Sequence, residues 1–185
     1  LLVDAGQFGS YRNGGSDHAS SRYVFTRLDP ICARLFHKDD MAVLDKHVVE
    51  GIAVEPKLLA PLIPLVLLNG AAGIATGFST TIHPYAPKDL VEAALDIVQE
   101  KTPATLVPTF RDWHGDIVMS DDSFTTTGTY VQLSPTAIKV KTLPVGIFPC
   151  GFEKHLNKLQ DKSVVKRWKN DYAVTGITYT ITFTK

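Results

Sequence analysis

The sequence predicts an α+β protein on three observations. After Pro87, apolar residues recur at helical spacing: Leu90, Val91, Ala94, Leu95 and Val98. From about residue 116 onward, runs such as Ile138-Lys139-Val140-Lys141 alternate apolar with polar residues, the period of a half-buried strand. Before residue 87 neither period is sustained. Pro56, Pro61, Pro64, Pro84 and Pro87 stiffen that part of the backbone, and Gly70, Gly73 and Gly77 loosen it.

Taken in order, the first 28 residues hold a glycine-dense loop, with Gly6, Gly9, Gly14 and Gly15, and then a β-prone run from Val24 to Leu28. Asp17 is expected to N-cap a short Ala/Ser-rich turn. Asp29-Pro30 ends the run, because the residue before proline avoids the helical region. Ile31, Cys32, Leu35 and Phe36 form one helical face, broken at His37-Lys38-Asp39-Asp40. Met41 to Val49 reads as a short helix, followed by a turn at Glu50-Gly51 and a strand at Ile52-Ala53-Val54. Residues 55–87 read as loop, with a turn at Asn69-Gly70. The clearest helix starts at Pro87, capped by Asp89, and runs to about Glu100. Strands follow at Asp116–Met119, Gly128–Leu133 and Ala137–Lys141, with a turn at Ser134-Pro135, so an antiparallel meander is expected. Phe152–Leu159 reads as helix, with Phe152, His155, Leu156 and Leu159 on one face, and Val174–Thr184 as a terminal strand. No internal repeat is present.

The bulk numbers narrow the function. Nineteen basic and nineteen acidic residues give zero formal charge, so any phosphate-binding surface is local or completed by another chain. Cys32 and Cys150 have no zinc-like spacing and read as reduced thiols. No apolar run approaches the ~20 residues that span a bilayer, and no secretory leader is visible. Both ends fall mid-pattern, so the sequence reads as a fragment of a longer protein.

Two blocks carry chemistry. The first is Gly6-Gln7-Phe8-Gly9-Ser10, then Gly14-Gly15-x-Asp17-x-Ala19-Ser20-x-Arg22-Tyr23. The second is Glu55-Pro56, Pro61-Leu62-Ile63-Pro64, and Asn69-Gly70-Ala71-Ala72-Gly73-Ile74-Ala75-Thr76-Gly77-Phe78-Ser79-Thr80-Thr81-Ile82. Together they resemble the breakage–reunion region of type IIA DNA topoisomerases, the family of topoisomerase II and of the gyrase A protein. The match is specific over residues 1–87. Beyond it, Trp113-x-Gly115-Asp116-Ile117, Leu143-Pro144-Val145-Gly146 and the final alternating strand resemble the family's tower domain. The resemblance implies a winged-helix DNA-gate segment over 1–87 and a truncated α/β tower domain with an antiparallel sheet over 88–185.

It also implies roles. Tyr23 takes the place of the tyrosine that attacks DNA, joining the 5′ phosphate and freeing a 3′ hydroxyl, and Arg22 takes the place of the arginine at the scissile phosphate. Ile74 matches an isoleucine that wedges between base pairs. Gln7, Ser10 and Arg12 are candidate DNA contacts of the loop. Residues one apart on a strand face opposite ways, so Arg22 and Tyr23 can share a phosphate only if the backbone there is turned or helical. A free phenol titrates near pH 10, so the nucleophile needs a base, a cation or a metal. The family's Mg²⁺ is held by a Glu and an Asp-x-Asp on a separate metal-binding domain. This sequence has no Asp-x-Asp, and Asp39-Asp40 and Asp121-Asp122 read as solvated pairs. Mg²⁺ and ATP are therefore expected to bind outside the chain, which is expected to be inert alone.

The implied partners are duplex DNA, a second copy of the chain, and metal-binding and ATPase domains in the same long chain or a partner subunit. The implied location is wherever the DNA is, with no membrane. Tyr11 stands where the family often has Arg, His18 where Ala is usual, and His83 where a second Pro is usual. These departures suggest a divergent, viral or phage member. Tyr11 is the rival nucleophile, though it lacks the arginine partner. Residues 151–185 hold seven cations against three acids and read as a solvated helical face or a track for bent DNA. The rival reading of the whole is a non-catalytic DNA-binding scaffold module, and a weaker third is a plain α/β scaffold.

Overall fold

The computed structural model describes residues 1–121, 123–173 and 176–184. It divides into two compact units. The first comprises Leu1–Asp4 and Thr26–Phe110, and the second Ala5–Phe25 and Arg111–Lys185. The chain thus leaves the first unit after Asp4 and returns at Thr26. The glycine loop with Tyr23 is counted with the C-terminal half, whereas the motif-based division falls at residue 87.

In the first unit, β1 (Leu2–Ala5) and β2 (Phe25–Leu28) form a two-stranded ribbon. The Asp29 N–H donates to the Leu1 carbonyl at 2.8 Å. The helix α1 (Cys32–Leu35) is a single turn followed by a 3-10 turn, Lys38–Ala42. The predicted helix over Met41–Val49 is not formed. Its second half is β3 (Lys46–Val49), paired with β4 (Ile52–Pro56) across Glu50-Gly51, both with positive φ. That is the two-residue turn whose twist matches a hairpin, and the β-branched Val48 and Val49 suit the strand. The expected loop of 55–87 contains a short helix, α2 (Leu65–Asn69), and a hairpin of β5 (Ala71–Ala75) and β6 (Phe78–Ile82). Its small residues hide the alternation that marks a strand. The helix α3 (Pro87–Val98) begins with Pro87 in its first turn and Ala86 as N-cap, so Asp89 lies inside the first turn and does not cap. Of its apolar stripe only Leu90 is buried, meeting Leu35 and Ile63 in a small core flanked by Leu67, Tyr85 and Leu106.

In the second unit, β7 (Asp116–Met119) and β8 (Phe124–Thr127) make a hairpin. The strands β9 (Tyr130–Ser134), β10 (Ala137–Val140), β11 (Val165–Ala173) and β12 (Gly176–Phe183) form a four-stranded antiparallel sheet in the order β11-β12-β10-β9. The sequence reading misses β8 and β11. The basic run Lys166-Arg167-Lys169 lies on β11, a strand and not a helical face. Asp122, Val174, Thr175 and Lys185, which enter the sequence expectations, lie outside the described residues. The helix α4 (Pro149–Asp161) lays Leu156 on the sheet against Tyr179, Val165 and Ile181. His155, expected on that face, points to solvent. Register accounts for the rest: Ile138 opposes Ile181 and Val140 opposes Tyr179 on the core side, while Lys139 opposes Thr180 on the other. Each large side chain fully buried contributes about 1.5–3 kcal/mol. The Trp113 indole donates to the Leu143 carbonyl at 2.8 Å, tying the hairpin's approach to the segment before α4.

Candidate active site

Tyr23 ends a 3-10 turn, Ser21–Tyr23, closed by its N–H donating to the Ser20 carbonyl at 2.9 Å. The strand β2 starts only at Phe25, so the backbone at Arg22-Tyr23 is turned, as a shared phosphate requires. The Arg22 guanidinium carbon lies 5.6 Å from the centroid of the Tyr23 ring, within cation–π range. The tyrosine is 65% exposed. Behind it, Gly6 (φ 106°) approaches so closely that a Cβ there would stand 3.1 Å from the Tyr23 carbonyl oxygen.

The loop that carries this turn is tied by one carboxylate. Asp17 does not cap a helix, because the backbone from His18 to Ser20 is irregular. Instead its oxygens accept from the Ser10 N–H at 2.8 Å, the Ser10 hydroxyl at 2.7 Å and the Asn13 amide at 3.1 Å. The Ser10 N–H, then the Ser10 hydroxyl and Asn13, hold the Asp17 carboxyl well below the usual carboxylate range. The Gln7 amide donates to the Asp17 carbonyl at 2.9 Å, and the Gln7 carbonyl accepts from Ala19 at 2.9 Å. Gln7 and Ser10, singled out as DNA contacts, thus spend these groups inside the loop.

Arg12 has a partner too. Its guanidinium makes a 2.7 Å ion pair with Glu153 of α4 and lies 5.6 Å from the Tyr172 ring centroid. Glu153 also accepts from the Asn170 amide at 3.0 Å, the Tyr172 hydroxyl at 3.0 Å and the Tyr179 hydroxyl at 3.4 Å. Burial pushes the Glu153 carboxyl up, but the bonds from Asn170, Arg12 and Tyr172 outweigh it and the net shift is downward. Burial first, then the neighbouring Glu153, raises both tyrosine hydroxyls. The ion pair and its bonds raise the Arg12 guanidinium. Alongside, Tyr11 meets Phe148 edge-on at 5.9 Å, and Gly14 presses on the same ring, where a Cβ would stand 2.5 Å from it. Tyr11, the rival nucleophile, is therefore packed against an aromatic neighbour, and among the described residues no arginine lies over its ring.

Sequence reasoning missed Asp17 as the knot of the loop and Glu153 as its anchor. Pro149, Glu153 and Leu156 are the buried residues of α4, spaced by four and three. That helical spacing was the available signal that Glu153 lies on the inward stripe.

Ile74, in the first unit, sits one residue before the end of β5 and is 93% exposed at the tip of the β5–β6 hairpin. Among the described residues no group of three or more His, Cys, Asp or Glu is arranged to hold a metal ion, so the residues present do not fit a Mg²⁺ site. No described helix is long and apolar enough to cross a membrane.

Comparison with known proteins gives one consistent result. The family of the DNA gyrase and topoisomerase IV A proteins matches residues 1–185. The chain is 33% identical over 98% of its length to "DNA topoisomerase 2, mitochondrial" of Dictyostelium discoideum. It is 35% identical over 86% of its length to "DNA topoisomerase 2" of Acanthamoeba polyphaga mimivirus. It spans only 14% and 13% of those relatives. Its fold superposes on 26% of the crystallised DNA-binding, cleavage and re-ligation domain of Plasmodium falciparum topoisomerase II. That match has a TM-score of 0.85, 27% identity and 99% coverage of this chain.

Proposed function

The chain belongs to the family of the DNA gyrase and topoisomerase IV A proteins, and from that we propose that it is the nucleophile-bearing part of a type IIA DNA topoisomerase. The observation that carries the reading is the exposed Tyr23 on a 3-10 turn with the Arg22 guanidinium over its ring.

The reaction is a transesterification on duplex DNA. The Tyr23 phenolic oxygen attacks a backbone phosphorus in line, the new P–O bond forms and the P–O3′ bond breaks. The phenolic proton is given up and the departing 3′ oxygen takes one, leaving a 3′ hydroxyl and a 5′-phosphotyrosyl ester. One phosphodiester replaces another, so the reverse step reseals the strand without an external energy source. Arg22 supplies a permanent positive charge with a planar fork for the non-bridging oxygens, where charge gathers in the transition state. The turn sets both side chains on one side of the backbone, and Gly6 fixes the carbonyl behind the nucleophile. Ile74 enters a base step and bends the duplex, a deformation of the kind apolar wedges make.

Among the described residues no acidic cluster is arranged to hold a metal ion. The metal and the ATP that drives strand passage are assigned to domains outside this chain, in the same polypeptide or a partner subunit. One tyrosine cuts one strand, so double-strand cleavage takes two copies in a symmetric dimer.

The test is covalent trapping. Full-length protein, its metal-bearing domain, Mg²⁺ and end-labelled duplex are mixed and quenched with denaturant. A 5′ adduct in wild type that disappears in Tyr23→Phe is the expected result. An adduct that persists in Tyr23→Phe moves the nucleophile elsewhere, with Tyr11 next in line. Binding without any adduct in wild type favours the scaffold reading.

A further inference from the structure

The β5–β6 hairpin carries a second unpartnered group that the wedge reading does not use. Ala75 opposes Phe78 and Ile74 opposes Ser79 across a two-residue loop, Thr76-Gly77. Directly opposed residues share a face and neighbours alternate. Ile74 therefore stands on one face of the ribbon tip and Phe78 on the other. Phe78 is 80% exposed, nearly as bare as Ile74 at 93%. The Phe78 side chain makes no ring contact and joins no buried cluster among the described residues. The remaining side chains of β5 and β6 are Ala, Gly, Ser, Thr and Ile, with no charge from Ala71 to Ile82. The ribbon is thus a slim, neutral finger with one large apolar side chain on each face of its tip. Leaving two such side chains in water forgoes the burial that would normally stabilise them.

We propose that the tip is a two-sided wedge, in which Phe78 is a second DNA-contacting residue that holds the bend Ile74 starts. This rests on the proposed reading of the chain as a DNA-cleaving segment. Ile74 opens one base step. The ring on the opposite face packs on the sugar and base edge of the adjoining nucleotide, an apolar and sequence-tolerant surface. A two-stranded ribbon is narrow enough to enter a DNA groove, and a neutral one meets no repulsion from phosphates. Phe78 is a positioning residue, since it touches the flanking duplex and not the reacting atoms.

The experiment uses the full-length enzyme with duplexes carrying a donor and acceptor at their ends, and with 2-aminopurine placed step by step across the site. Wild type is expected to bend the duplex and to raise 2-aminopurine fluorescence at the opened step. Ile74→Ala is expected to lose that fluorescence. Phe78→Ala is expected to lose much of the bend and to bind intact duplex about tenfold more weakly. Phe78→Trp is expected to restore both. A Phe78→Ala enzyme that bends and binds like wild type overturns the proposal while leaving the role of Ile74 intact. So does one whose main change is a lowered melting temperature, because Phe78 is then covered by protein; Phe78→Leu serves as the folding control. A wild-type enzyme that neither bends DNA nor forms an adduct removes the underlying reading as well.

Discussion

Tyr23 and Arg22 share one side of the chain because a single turn interrupts what would otherwise be a strand. That turn makes Arg22 testable apart from general DNA affinity. Arg22→Ala should slow adduct formation about 10²–10³-fold, the cost of losing one well-placed charge donor, with DNA affinity little changed. Arg22→Lys should recover little, since an ammonium lacks the planar fork. Single-turnover accumulation of the 5′ adduct measures this, and equal rates in Arg22→Lys and wild type would count against the fork. Gly6 makes a second case. With φ at 106° and a Cβ destined to stand 3.1 Å from the Tyr23 carbonyl, Gly6→Ala must shift the nucleophile's backbone. It should cost about 1–3 kcal/mol in denaturant unfolding and slow the adduct further than Tyr23-remote substitutions of equal stability cost. Both residues were visible in the sequence because one motif runs from Gly6 to the adjacent cation and phenol, Arg22 and Tyr23. Phe78 lies in an equally visible motif and was passed over, because which ribbon face a residue takes depends on register, and that was fixed only once the hairpin was seen.

The glycine loop is held at two points, the Asp17 knot and the Arg12–Glu153 pair. Both carboxyls are shifted below their ordinary values of 3.8 and 4.5. A native pKa below the unfolded one means the unfolded chain binds more protons as pH falls. The stability these groups contribute is therefore present above the ordinary carboxylate values and lost as pH drops through the native ones. Acid should release the loop over roughly pH 5 to 2, and Asp17→Asn and Glu153→Gln should each flatten that dependence in pH-resolved unfolding; an unchanged pH profile in both variants would place the acid sensitivity elsewhere. Tyr172 and Tyr179 work in the opposite direction: with native values raised, their contribution is present below the ordinary 10.0 and lost as pH rises through the raised ones. Glu153→Ala strands the donors of Asn170, Tyr172 and Tyr179 as well as Arg12, and should cost roughly 3 kcal/mol. Arg12→Ala leaves Glu153 its three neutral donors and should cost less. At this scale the sequence was only partly readable. The helices α3 and α4 announced themselves by period and proline, whereas β3, β5 and β6 were hidden, being short, exposed, and in part built of small residues that show no alternation. The Arg12–Glu153 pair joins residues far apart in sequence, and no local pattern encodes it.

Across the whole molecule many large apolar side chains stay open to solvent. In the first unit only Leu35, Ile63 and Leu90 form the buried core, while Val91, Leu95 and Val98 of α3 stay open at 44%, 53% and 81%. We expect the open apolar faces to be covered by surfaces outside residues 1–185, other parts of the polypeptide, a second protomer or DNA. The same dependence would govern the chemistry, since the chain carries the proposed nucleophile and its arginine but no metal cluster among its described residues. The expected outcome is specific. Residues 1–185 expressed alone should bind a hydrophobic dye, unfold at a lower urea midpoint than the same residues within the full-length protein, and form no adduct on intact duplex. Adding a metal-bearing domain in trans should restore cleavage only as far as it restores the fold, so dye release and adduct yield should rise together in a titration. An isolated chain that unfolds sharply at the full-length midpoint without binding dye would show that the exposed apolar surface is tolerated and would overturn this expectation.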